Sequence, residues 1–318
     1  MSLTGVDNIL QYTVVLPNAS HVTANNYQNT DLFWALRGGG GPSFGVLTSA
    51  TYKTHPNFPY TGAFYIATAN SSESYHKLFE TWFQFHNAVS DAGWGGTWPF
   101  VNNALFLTLV TQGNPPTSPT ANSTLEGFFS ASRAIPGVNV SQAISVPYNS
   151  FQSFFFDNLV DASRGFGFNF SAGAQAGIRT ATSSWLLPRE LTGGNASALA
   201  DIFVNIPVGT PLYVLPFLFC CGFCKLTICI FSMVGGKGVS NVDPDATAVT
   251  PAWRTVISDM IVNDIFNETN SPAEILAVRQ NVHDQIQPFR DLAPVPTGGQ
   301  YLNEVSPNSF FSSSLRVF

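Results

Sequence analysis

Hydrophobic and polar positions alternate along Ile9-Leu10-Gln11-Tyr12-Thr13-Val14-Val15 and again along His21-Val22-Thr23-Ala24, on either side of Pro17-Asn18. A period of two interrupted by turn residues predicts a β-hairpin over Ile9 to Ala24. The next apolar run, Asp31-Leu32-Phe33-Trp34-Ala35-Leu36-Arg37-Gly38, has helical spacing. Asn29 or Thr30 is placed to cap it, Asp31 sits at its dipole-favoured start, and glycine follows its end. After four glycines, FGVLTSATYKTHP is rich in β-branched residues and predicts a strand that Pro56 terminates. The local order is hairpin, helix, glycine loop, strand.

From Tyr60 the pattern changes. Strand-like runs (AFYIATA, ALFLTLVT) are separated by helical windows, SSESYHKLFETWFQFHNAV and TANSTLEGFFSAS. That alternation predicts a sheet covered by helices, a second domain beginning at residue 59. LPREL and SALADIFVNI continue it, PAWRTVISDMIV reads as a further strand, and SPAEILAVRQNVHDQIQPFRDL as a long amphipathic helix begun by Ser271-Pro272. The chain is α+β, without internal repeats.

Composition narrows the function classes. With 318 residues, 45% hydrophobic and only 10% charged, the chain buries a sizeable core and is not disordered. A net charge of -6 and 13 scattered basic residues leave no cationic stripe for a run of phosphates, so nucleic acid is excluded as a partner. N-x-[ST] sequons begin at Asn18, Asn70, Asn122, Asn139, Asn169, Asn195 and Asn267. Chance gives about four or five in a chain this rich in Asn, Ser and Thr, so the excess leans toward a secreted glycoprotein. MSLTGVDNIL carries no basic stretch followed by an apolar one. Either the protein is intracellular or its true beginning lies further upstream.

The stretch GGGGPSFGV, residues 38 to 46, admits two kinds of chemistry. Gly41-Pro42-Ser43-Phe44-Gly45 spells the G-x-S-x-G of a hydrolase, but a nucleophile elbow needs a strand before the serine and a helix after it. Here the order is reversed, and the five histidines sit in no triad context. The dinucleotide fingerprint fails for the same reason. Gly235-Gly236-Lys237-Gly238 lacks the Ser or Thr of a phosphate-binding P-loop. Two readings remain open: a main-chain cradle on which a flat ligand rests, or a tight helix-to-strand turn packed under another backbone.

The run DNILQYTVVLPNASHVTANNYQNTDLFWALRGGGGPSFGVLTSATYKTHP resembles the second half of the flavin domain of the berberine-bridge-enzyme-like oxidases, in the vanillyl-alcohol oxidase superfamily. Asp7-Asn8, Asp31-Leu32-Phe33-Trp34-Ala35, the glycines and Phe44-Gly45-Val46 fall on its motif. LLPREL, Val234-Gly235-Gly236, DPDATAVTPAWR and Tyr301-Leu302-Asn303-Glu304 resemble the family's substrate domain and the start of its C-terminal segment. The resemblance covers most of residues 5 to 306.

It implies the C-terminal part of a PCMH-type FAD-binding domain at 1–58, a substrate domain of antiparallel sheet under helices at 59–295, and a segment returning to the flavin at 296–318. It implies FAD as cofactor and oxidation of a small alcohol, sugar, phenolic or alkaloid-type molecule by hydride transfer to flavin, with dioxygen taking the electrons. Gly39, Gly40, Gly41, Phe44, Gly45 and Val46 would line the FAD, and Tyr301 and Asn303 would reach it from the returning segment. The pyrophosphate loop and the tethering His and Cys of the family would precede Asp7 and are not in this sequence. The alternative is an inactive fragment that at most binds a small ligand. For proton transfer the candidates are Tyr301, Glu304, Asp243 and Asp245; the two aspartates read equally as turn groups, and Glu304 as a hydrogen-bond partner of the returning strand.

All four cysteines, Cys220, Cys221, Cys224 and Cys229, lie in PLYVLPFLFCCGFCKLTICIFSM. Zinc would need a second ligand pair, the C-x-x-C has no thioredoxin context, and Pro216, Gly222 and Lys225 interrupt a membrane span. No metal site is expected. Against the family pattern, residues 211–230 read as an insert, the translation of an intron, and as a source of poor solubility.

Overall fold

The structure, a computed structural model, describes residues 4–40, 43–101, 103–160, 178–206, 228–267 and 269–304. The hairpin forms as β1 (Ile9–Val15) and β2 (His21–Asn25), paired antiparallel from Gln11↔Asn25 to Val15↔His21. Its turn is closed by Asn18, whose Oδ1 accepts from the amide and the hydroxyl of Ser20. Helix α1 (Thr30–Leu36) follows, with Asn29 at the N-cap position. Asn29 makes no capping bond there; its side-chain amide donates to the Thr23 carbonyl at 2.7 Å and ties the helix to β2 instead. Phe33 anchors the helix on the sheet, edge-on to Tyr12 at 6.1 Å. After the glycine loop, β3 (Val46–Tyr52) returns antiparallel to β1, giving the order β2-β1-β3.

The remaining elements run β4 (Tyr60–Ala69), α2 (Ser72–Asp91), β5 (Gly95–Val101), β6 (Ala104–Gln112), α3 (Ala121–Arg133), β7 (Val138–Tyr148), α4 (Phe151–Phe155), β8 (Ile178–Pro188), α5 (Arg189–Gly194), α6 (Ala196–Asn205), β9 (Ile228–Met233), α7 (Lys237–Ser240), α8 (Ala252–Thr255), β10 (Val256–Asn267) and α9 (Pro272–Leu292). Their strands make one seven-stranded antiparallel sheet, β7-β4-β6-β5-β9-β10-β8. The α+β class and the antiparallel sheet under helices are as the sequence predicts.

Helix α2 buries Tyr75, Leu78, Phe79, Trp82, Phe83, His86 and Val89, a stripe at the i, i+3, i+4 spacing that lays one face on the sheet. Phe79 stacks on Phe203 of α6 at 4.9 Å, and Trp98 of β5 packs between Phe79, Trp82 and Phe203 at 5.7 to 6.3 Å. Each such ring contributes about 1.5–3 kcal/mol by burial. Helix α9 starts with Pro272 in its first turn and a capping box in which Ser271 and Glu274 satisfy each other's amides.

One expectation is corrected. PAWRTVISDMIV is not one strand: its start is the single turn α8, and β10 begins only at Val256. The last three residues of the 211–230 segment, Ile228 to Ile230, belong to β9, held between β5 and β10 in the middle of the sheet. Residues 207–227, with three of the cysteines, lie outside the described residues.

Along β10 the even positions face the helices: Ser258 meets His86 of α2, and Asp264 accepts from Asn281 of α9. Odd positions such as Asp259 therefore face the opposite side. There Leu186, Ala252 and Val256 form a small cluster with Trp253, and residues 299–304 run back along the β8 edge, where the Leu186 amide donates to the Gly299 carbonyl at 2.7 Å.

Candidate functional site

The glycine loop leaves α1 with its backbone in the left-handed region, φ 112° at Gly38 and 113° at Gly40. The hydrogens of these glycines are needed for different reasons. At Gly38 a methyl group would strike the backbone of Val249, whose nitrogen lies 2.7 Å from where it would be. At Gly39 it would meet the Ala35 carbonyl and Ala248, and at Gly45 the Val15 carbonyl and Val14. Protein thus fills the side-chain-free faces of Gly38, Gly39 and Gly45, as in a turn packed under another backbone. Gly40 differs: its nearest neighbours are Ser43 of the same loop and, at 3.7 Å, Leu302 of the returning segment. Gly41 and Pro42 lie outside the described residues. Beyond the loop Val46 is 69% exposed and Leu47 44%, an apolar ledge at the start of β3.

The segment that backs the loop is DPDATAVTPAWR. Asp243 accepts from the Asp245 amide and caps a short turn, so the two carboxylates that were candidates for proton transfer are turn groups on the surface. Main-chain carbonyls of this turn take up side chains of α1 and the residue after it: Trp34 Nε1 donates to Asp245 at 2.7 Å and Arg37 Nη2 to Ala246 at 2.9 Å. Arg254, from α8, grips Asp7 through both carboxylate oxygens at 2.8 and 2.9 Å, with both side chains 4% exposed. Burial pushes the Asp7 carboxyl up, but hydrogen bonds from Arg254 and Thr4 outweigh it and hold the group below its ordinary range.

The returning segment brings the other predicted residues to the same place. Tyr301 sits edge-on to Trp253 at 5.5 Å, and Asn303 Nδ2 donates to the Tyr301 hydroxyl at 2.6 Å. Gln300 spans the turn, donating to Ser183 Oγ and to the Glu304 carbonyl. The structure therefore joins Gly40, Leu302, Tyr301 and Asn303 in one neighbourhood, while Gly39 and Gly45 face protein.

Sequence reasoning did not find Asp259. Only 3% exposed, it lies under the Glu304 carboxyl and beside Ser184. Burial first, and then the Glu304 carboxyl, push Asp259 well above the ordinary carboxylate range, and burial raises Glu304 as well. The strand carries no distinct signal for it, because Ser258, Asn263 and Asp264 of β10 are polar as well.

Among the described residues no three His, Cys, Asp or Glu side chains are grouped to hold a metal ion, and no helix is long and apolar enough to cross a membrane.

No protein-family model matches the chain. Sequence relatives include an uncharacterised FAD-linked oxidoreductase of Arthroderma benhamiae, 29% identical over 316 residues that cover 95% of this chain and 49% of the relative. Another is the VAO-type flavoprotein oxidase VAO615 of Thermothelomyces thermophilus, 28% identical over 94% of this chain and 48% of its own length. Among solved structures, the VAO-type flavoprotein MtVAO615 from Myceliophthora thermophila superimposes with a TM-score of 0.71 at 24% identity, over 95% of this chain and 50% of that one. A berberine-bridge-enzyme-like protein of Physcomitrella patens gives 0.69 at 19% identity, over 98% and 61%. The chain spans about half the length of the curated relatives it matches.

Proposed function

We infer that this chain, a relative of the FAD-linked oxidoreductases with the VAO-type fold, works as they are named: as part of an FAD-dependent oxidoreductase. Its substrate in this reading is a small alcohol, sugar, phenolic or alkaloid-type molecule, and dioxygen is the electron acceptor. Residues 1–58 would contribute half of the flavin domain and residues 59–295 the substrate domain.

One observation carries the reading: Gly40, with its left-handed backbone, and the Tyr301–Glu304 turn, two stretches about 260 residues apart in sequence, meet through Leu302, and the strand that follows the glycine loop opens with the exposed apolar Val46 and Leu47. These residues suit a flat aromatic group with a polar edge. Val46 and Leu47 offer apolar surface, Gly40 allows close approach to main chain, and Tyr301 and Asn303 offer hydrogen bonds. Bound there, FAD would supply the acceptor for a hydride from substrate.

The chain's own residues divide the remaining work. Phe44 and Val46 would cover the cofactor's apolar face, and Gly39, Gly40 and Gly45 would set the course of the loop. Asn303 donates to the Tyr301 hydroxyl oxygen, which leaves the phenol proton for a ligand atom. Glu304 is engaged with Asp259, so Tyr301 is the group we assign to proton exchange with substrate.

A second reading, a non-enzymatic fragment, draws on the filled faces of Gly38, Gly39 and Gly45. Purified protein incubated with FAD and passed through gel filtration separates the two. Flavin absorbance co-eluting with the protein supports the first; a colourless protein indifferent to FAD supports the second. The glycoprotein reading rests on the seven sequons, of which Asn18, Asn70, Asn122, Asn139, Asn195 and Asn267 are exposed and Asn169 lies outside the described residues. A mobility shift on enzymatic deglycosylation of the secreted protein tests it.

A further inference from the structure

Asp259 and Glu304 come from β10 and from the returning segment, and they meet on the face of the large sheet opposite α2 and α9. Among the described residues no cation acts on either carboxyl. Arg254, at the foot of the same strand, is committed to Asp7. Among the described residues the only titratable group acting on Asp259 is Glu304; β8 contributes the Ser184 hydroxyl, and β9 contributes Ser232 as the cross-strand neighbour. Ser184 is fully buried and stands beside both carboxyls, yet its hydroxyl makes no aligned hydrogen bond. Asp259 Oδ1, Glu304 Oε2 and Gln300 Oε1 are also buried without partners. The cluster is therefore rich in acceptors and short of donors.

Two adjacent carboxylates buried without a cation cannot both ionise, because each charge is desolvated and each repels the other. A single proton resolves this. It turns one carboxyl into a donor to its neighbour, in a charge-assisted O–H···O bond stronger than a neutral one. We propose that Asp259 and Glu304 hold one proton between them, and that this acid–carboxylate pair is the latch seating the Tyr301–Glu304 turn on the sheet beside Gly40. Asp259 is then a positioning residue: it touches no reacting atom, and it fixes where Tyr301 and Asn303 stand. The inference deepens the functional reading, since it concerns the turn assigned to the cofactor.

The sign of its pH dependence follows from linkage. Both carboxyls are pushed up in the folded state, so the latch is intact at acidic and neutral pH and is lost as pH rises through the pair's folded titration.

The test uses the full chain without added FAD, which separates its outcome from that of the cofactor-binding experiment. Infrared difference spectra of the wild type are expected to show the carbonyl stretch of a protonated carboxyl at neutral pH, absent from Asp259→Asn. Hydrogen exchange at residues 300–304, corrected for the intrinsic base-catalysed rate and referenced to β1, is expected to lose protection by about tenfold per pH unit above the transition. In Asp259→Asn the amide donates to the Glu304 carboxylate without any proton to lose, so protection persists into alkaline pH. Glu304→Gln, at a less deeply buried position, gives the reciprocal variant should Asp259→Asn fail to fold. Absence of the protonated-carboxyl band in the wild type overturns the proposal. So does an exchange profile whose pH dependence is the same in the wild type and in either folded variant.

Discussion

Arg254 closes on Asp7 with two hydrogen bonds across 247 residues of sequence, and both side chains are almost wholly buried. This ion pair joins the start of the small sheet to the foot of β10, and with it the glycine loop to the segment that backs it. The Thr247 hydroxyl accepts a third bond from the same guanidinium, at 3.1 Å.

Removing one partner of that pair strands a buried charge. Arg254→Ala and Asp7→Ala are each expected to cost about 3–5 kcal/mol, with a double mutant costing less than their sum. Arg254→Lys is expected to recover only part, because an ammonium cannot span both carboxylate oxygens. Urea denaturation of the wild type and these four variants measures this.

The same pair sets an acid limit. Because the folded-state Asp7 carboxyl is held below its ordinary value, its contribution is present above the unfolded carboxylate range and is lost as pH falls through the folded titration. Wild type is expected to lose stability in that window, and Asp7→Asn to lose less. Thermal melts across the acidic range check it.

His86 gives a second, separable pH effect. It is fully buried among Trp82, Phe83 and Trp98, with Nε2 2.5 Å from Ser258 Oγ, and burial first, with Arg189 adding, brings its pKa down to about 3. The unfolded chain binds a proton near pH 6.5 that the folded one refuses. Stability should therefore fall between about 6.5 and about 3, by up to about 1.4 kcal/mol per pH unit. His86→Gln, which cannot titrate, is expected to flatten that slope in denaturant titrations even if its stability at neutral pH is lower.

Gly38 and Gly5 contrast in what surrounds them. Gly38→Ala forces a side chain into a φ of 112° and against the Val249 backbone, whereas Gly5→Ala meets nothing within 4 Å. The first is expected to destabilise by about 1–3 kcal/mol or more and the second by a few tenths at most. Comparable melting temperatures for the two variants would contradict the account of this loop as packed main chain.

In the core, Phe203→Ala removes a ring that contacts Phe79, Phe83, Trp98, Phe100 and Phe289. Around 3–5 kcal/mol should be lost in chemical denaturation.

What the sequence determined by itself is what depends on neighbours along the chain. Alternation around Pro17-Asn18 makes the hairpin, the spacing from Tyr75 to Val89 makes α2, and Ser271-Pro272 with Glu274 starts α9, since each signal and its consequence lie within a few residues. The order of helix, glycine loop and strand was equally local. Tertiary structure decided what depends on distant partners. Pro99 lies in a central strand, where a proline cannot donate to the ladder; β5 accommodates it because its pairing with β6 skips from Thr97 to Phe100. Asp259 reads as one of several polar residues in β10, with Ser258, Asn263 and Asp264, and only the return of Glu304 from 45 positions later buries it beside a second carboxyl. The glycines announced close approach but not to what. Three are backed by Val249, Ala248 and Val15, and Gly40 by Leu302, because a missing side chain states that room is needed while the fold alone supplies the neighbour that takes it.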